Sequence, residues 1–148
     1  MGFYTVQGAT NRMLISTKGR YALRVMTDLA ENQGDGMIPM KDVAKRQGIS
    51  LKYLERILPV LSRNQLIEGH QGKGGGYRLT RAPRDYKIGE ILRLTEGDLA
   101  PVACLGCHAE PCERKANCRT FSLWNGLNDV INGYLDRFTL ADLMNRNA

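Results

Sequence analysis

The 148-residue chain has four cysteines, Cys104, Cys107, Cys112 and Cys118, spaced C-x2-C-x4-C-x5-C within one short stretch. A disulfide framework usually joins distant parts of a small secreted chain. Thiols bunched this way in a reducing compartment point instead to metal or redox chemistry. Four thiolates close tetrahedrally around zinc, and thiolates also hold iron–sulfur clusters, so spacing alone admits both. The C-x-x-C pair at Cys104 and Cys107 resembles a thiol oxidoreductase motif, but that motif keeps a βαβ setting absent here.

Other catalytic readings are weaker. The two histidines, His70 and His108, sit in no recognisable nucleophile or paired-carboxylate constellation, so an enzyme is not expected. The run Gly72-Lys73-Gly74-Gly75-Gly76 fails as a P-loop, because Lys73 is followed by Gly74 where Ser or Thr is needed. It fails as a dinucleotide fingerprint as well, with Tyr77 at the third glycine position and a strand following.

Charge is the second chemical signal. The net charge is +6, yet residues 41–93 carry 12 Lys and Arg against 5 Asp and Glu, and the remainder is slightly acidic. A basic excess confined to one third of the chain is the footprint of a surface that meets phosphate.

The elements that must position these groups follow from periodicity. From Thr17, Tyr21, Ala22, Val25, Met26 and Leu29 fall on one helical face, with Arg24, Asp28 and Glu31 read as outward. A short helix is expected from Met40 to Gln47, closed by Gly48. Ser50 then caps a second helix beginning at Leu51, with Leu54, Ile57, Leu58 and Leu61 inward. Two helices joined by a glycine turn make a helix-turn-helix. Pro59 predicts a kink, or a reading portion limited to the first two turns. Strands at Leu66–His70 and Gly76–Thr80 flank the glycine run as a hairpin, the wing of a winged helix.

A short helix is expected over Ile88–Leu94. Residues 97–118 lose all apolar period, and an unpatterned loop of this length is usually functional or disordered. A long helix then runs from Arg119 to Arg137, apolar on more than one face through Trp124, Leu127, Ile131, Tyr134 and Phe138, widened by Leu123, Val130 and Leu135. A second copy of that helix is its economical partner. Thr139 is expected to cap a short final helix. The expected architecture is therefore mainly α with a small β-hairpin wing. Residues 1–12 form a disordered leader or extension, 13–96 a winged-helix domain, 97–118 a cysteine-rich loop, and 119–148 a dimerisation helix with a C-terminal helix. No membrane span or secretory signal is expected, and a cytoplasmic location is.

Three segments carry a family resemblance: Ser16-Thr17-Lys18-Gly19-Arg20-Tyr21-Ala22, Gln47-Gly48-Ile49-Ser50-Leu51-Lys52-Tyr53-Leu54-Glu55, and Gly72-Lys73-Gly74-Gly75-Gly76-Tyr77. Together with the cysteine loop and Leu123-Trp124, they resemble the winged-helix regulators typified by the iron–sulfur cluster regulator IscR, with NsrR and CymR as relatives. The resemblance runs in register from about Met13 to about Leu143.

It implies a homodimeric transcription regulator on a partly palindromic double-stranded operator. One helix of each subunit enters the major groove, and the wing touches the minor groove. By matching positions, the DNA-binding residues are Ser50, Lys52, Tyr53, Glu55 and Arg56 on the reading helix, with Gln71 and Lys73 on the wing. Gln71 stands where relatives carry arginine, which bears on operator preference. The resemblance also implies an iron–sulfur cluster, 2Fe–2S or 4Fe–4S, in preference to zinc. Cys112 and Cys118 match the last two cysteines of the family loop and Cys104 the first. Relatives complete the set with a histidine where this chain has Phe121, or with an acidic residue where it has Arg20. Cys107, or His108 beside it, is therefore the local candidate for a fourth ligand. Cluster assembly, loss or oxidation would alter operator binding through the adjacent pairing helix.

Overall fold

The computed structural model describes residues 15–107 and 109–144. The expected N-terminal extension, 1–12, and His108 lie outside the described residues. Helix α1 spans Thr17–Asn32, α2 Met40–Gln47 and α3 Leu51–Arg63. Strands β1, Ile67–His70, and β2, Gly76–Leu79, form the hairpin. Then come α4, Ile88–Glu96, α5, Phe121–Asp136, and α6, Leu140–Met144.

Local sequence explains each boundary. The Ser16 hydroxyl accepts from the Gly19 amide at 3.3 Å and caps α1. Gly48 closes α2 at φ +63°, a left-handed conformation that glycine adopts without a Cβ penalty. The Ser50 hydroxyl accepts from the Tyr53 amide at 3.1 Å and opens α3. Helix α3 continues through Pro59 to Arg63. Pro59 is exposed, and as a proline it donates no amide to the Glu55 carbonyl one turn back.

The core gathers Ala22, Val25, Met26 and Leu29 of α1, Leu54, Ile57 and Leu61 of α3, and Ile91 and Leu92 of α4, all buried. The hairpin is antiparallel, with Ile67 opposite Leu79 and His70 opposite Gly76. It has a third member that the sequence pattern does not reveal. Ile38 exchanges two backbone hydrogen bonds of 2.9 Å with Tyr77, so a single residue ahead of α2 widens the wing base. This approach requires glycine at 76: its φ is +146°, and a Cβ there would collide with the Ile38 carbonyl.

Buried Tyr86 fastens the wing from below. Its hydroxyl donates to the Leu66 carbonyl at 2.6 Å and accepts from the Thr80 and Arg81 amides at 2.9 and 3.0 Å. The Arg81 guanidinium lies 4.3 Å from its ring centroid.

Asp28 corrects the outward reading given to it above. It is 1% exposed and takes hydrogen bonds from Arg46, the shortest 2.6 Å, and from the Gln47 side chain at 2.9 Å. A carboxylate buried this deeply needs such partners. Here they tie α1 to the end of α2, and the pairing holds the Arg46 guanidinium protonated beyond its already high range.

Candidate DNA interface and cysteine loop

The first turns of α3 are fixed by its buried face, with Leu54, Ile57, Leu58 and Leu61 all packed inward. That anchoring leaves Lys52, Glu55 and Arg56 exposed. None of the three forms an ion pair among the described residues. Ser50 is occupied as the helix cap. Tyr53 is half-buried, its ring edge-on to Tyr21 at 5.2 Å between centroids. Arg24 in turn lies 5.0 Å from the Tyr21 ring and donates to the Gln47 side chain at 3.2 Å. Tyr53 thus braces α3 against α1, and Arg24 belongs to the same polar seam.

Gln71 and Lys73 are exposed at the tip of the hairpin. The tip turns through Gly72 and Gly74, at φ +95° and +75°, and is closed by a 2.9 Å bond from the Gly75 amide to the Gly72 carbonyl. Along the strands Arg78 pairs with Glu68.

The cysteine loop leaves α4 at Gly97, φ +79°. Single helical turns at Ala103–Leu105 and Lys115–Asn117 interrupt it, and Leu99 and Ala100 are buried at its start. All four thiols are free and exposed. Cys104, Cys112 and Cys118 line one open hollow of about 460 Å³, together with Glu110, Lys115 and Phe121. Cys107 does not line it. Its amide donates to Asp98 Oδ2 at 2.7 Å, and its Sγ lies 3.6 Å from the Gly97 carbonyl. Among the described residues no three side chains converge at metal-binding distance.

Electrostatics differ across the loop. Burial would push the Asp98 carboxyl up, but the Cys107 and Ala100 amides outweigh it and hold the group below the usual carboxylate range. Hydrogen bonds from the Thr120 hydroxyl and amide hold the Cys118 thiol below its usual range, with Arg114 adding to the effect. That favours thiolate, the form that binds metal.

Helix α5 follows directly. Ile131, Leu135 and Phe138 pack on the core, whereas Leu123, Val130 and Tyr134 are 61, 66 and 51% exposed. No residue of α5 is fully buried. Among the described residues, no helix is long and apolar enough to cross a membrane.

A capped helix-turn-helix beside a hairpin wing, with its basic side chains left outward, defines a winged-helix DNA-binding protein. The chain belongs to the Rrf2 family of iron-dependent transcriptional regulators, whose pattern matches residues 15–146. It is 36% identical to the HTH-type transcriptional regulator IscR of Serratia proteamaculans, across 90% of this chain and 80% of that one. It is similar in structure to the global cysteine regulator CymR of B. subtilis, with a TM-score of 0.71, 36% identity, and 88% and 95% of the two chains covered. T. potens IscR matches with a TM-score of 0.69 and 36% identity over 88% of this chain and 85% of that one. These relatives are regulators, and so is this chain; it is not an enzyme.

Proposed function

We propose that the chain acts as a homodimer on a partly palindromic operator and that an iron–sulfur cluster on the cysteine loop controls its grip. The observation that carries this reading is the shared hollow: Cys104, Cys112 and Cys118 line one cavity immediately ahead of α5. The donor set suits the group, since three soft thiols sit together and one of them is biased toward thiolate. Those three residues would hold the cluster, and Cys107, on the same loop but outside the hollow, would have to turn into it to serve as the fourth ligand. When bound, the cluster would supply sensitivity to iron supply, oxidants or nitric oxide.

The protein's own residues do the rest. Leu123, Val130 and Tyr134 of α5 would meet the same stripe on a second copy, which removes exposed apolar surface and sets the spacing of the two reading helices. A twofold pair must place those helices about one turn of duplex apart, so small changes at α5 matter. Arg56 can bond guanine through two parallel hydrogen bonds, Glu55 can accept from cytosine, and Lys52 suits phosphate. Lys73 and Gln71 would reach the neighbouring groove from the wing, while Ser50 and Tyr53 hold the reading helix in place.

The test is anaerobic purification followed by a visible spectrum, metal analysis and footprinting of loaded and cluster-free protein. A brown, iron-bearing protein whose two forms differ in operator affinity is expected. A colourless zinc-bearing protein would replace the cluster by a structural metal. Equal affinity of both forms would end the sensing role and leave DNA binding intact.

A further inference from the structure

Five large apolar side chains are exposed among the described residues: Ile15, Leu51, Leu123, Val130 and Tyr134. Three lie on α5, where the proposed pairing would cover them. Leu51 is different. It is 51% exposed at the first helical position of α3, directly after the Ser50 cap and beside Lys52. The first residues of a reading helix are those that reach base edges in the major groove. The one apolar feature a base pair presents there is the 5-methyl group of thymine.

We propose that Leu51 is a specificity-determining residue whose isobutyl group packs on a thymine methyl, next to the base reached by Arg56. The assignment rests on the DNA-binding reading and adds a base preference to it. Water leaves both apolar groups on contact, so the complex is favoured only where a methyl is present. The polar ends of Lys52, Glu55 and Arg56 do not supply that discrimination, nor does Tyr53. Lys52 and Arg56 offer only donors, Glu55 only acceptors, and Tyr53 is turned onto Tyr21.

The experiment selects a tightly bound duplex from a random-sequence library with the full chain, then replaces each dT of the selected duplex in turn by dU, which deletes only the methyl. For the wild type, one replacement per half-site is expected to weaken binding about fourfold, the worth of one buried methyl-sized group. Leu51→Ala is expected to bind the dT and dU duplexes alike, and Lys52→Ala to keep the full methyl response. Leu51→Met, which stays apolar and flexible, is expected to keep part of it and serves if Leu51→Ala does not fold. Uniform wild-type binding to every dU duplex overturns the assignment while DNA binding stands. An undiminished methyl response in Leu51→Ala overturns it equally. A library that yields no enriched duplex removes the DNA-binding reading and this one with it.

Discussion

Arg93 of α4 holds Asp136 of α5 at 2.7 Å, and its other terminal nitrogen donates to Asn132 at 2.9 Å. One guanidinium therefore fastens the winged helix to the helix with the unpartnered apolar stripe. The clamp is tight around Gly89, whose missing Cβ would otherwise run into both Asp136 and Arg93.

Both partners of that clamp are more than a third or nearly a third exposed, at 38 and 33%, so water screens much of the attraction. Arg93→Ala is expected to lower stability by only about 1 kcal/mol. The larger effect should be on subunit association, because α5 loses its polar anchor. Thermal melting and sedimentation at several concentrations check the two parts separately.

The Asp28–Arg46 pair predicts an asymmetry. Arg46→Ala leaves a buried carboxylate with Gln47 as its remaining side-chain partner, at a cost of about 2 kcal/mol. Asp28→Ala leaves an arginine whose side chain is already 38% exposed and can turn to water, so its cost should be smaller. Urea unfolding of the two variants decides the order.

Tyr86→Phe keeps the ring in the core and deletes one hydroxyl. It strands the amides of Thr80 and Arg81 and leaves the Leu66 carbonyl with the longer, 3.3 Å bond from the Thr80 hydroxyl, at an expected cost of about 2 kcal/mol. Amide exchange should rise first at residues 80 and 81, at the foot of the wing.

The basic residues of the interface should separate by salt dependence. Lys73→Ala is expected to weaken binding uniformly across sequences and reduce the slope of log affinity against log salt by about 1, one phosphate contact. Arg56→Ala should instead relax preference at one base pair per half-site, by about 1–3 kcal/mol of discrimination. Titration at several salt concentrations on matched and mismatched duplexes distinguishes them.

The helical skeleton was legible because its apolar residues repeat at 3.6. Val25, Met26 and Leu29, and Leu54, Ile57 and Leu61, fall inward as their spacing requires. Asp28 was not, since periodicity assigns a charged residue outward and its partners come from a different helix. Ile38 escaped for another reason: a single bridging residue has no alternation to detect. The same limit holds in the cysteine loop. Spacing groups four thiols, but it has no direction, and it gives no sign of the bonds from Cys107 to Asp98 and the Gly97 carbonyl that accompany its place outside the hollow lined by the other three. Leu51 was passed over because helix signals favour counting buried apolar positions, and this one is solvent-facing.

Glu96 accepts from the Ser16 amide and hydroxyl at 2.9 and 2.8 Å, closing the start of α1. Two residues later Asp98 secures the Cys107 and Ala100 amides. Thiol segment and first helix are thus moored to opposite ends of one three-residue strip, Glu96 to Asp98, that turns at Gly97.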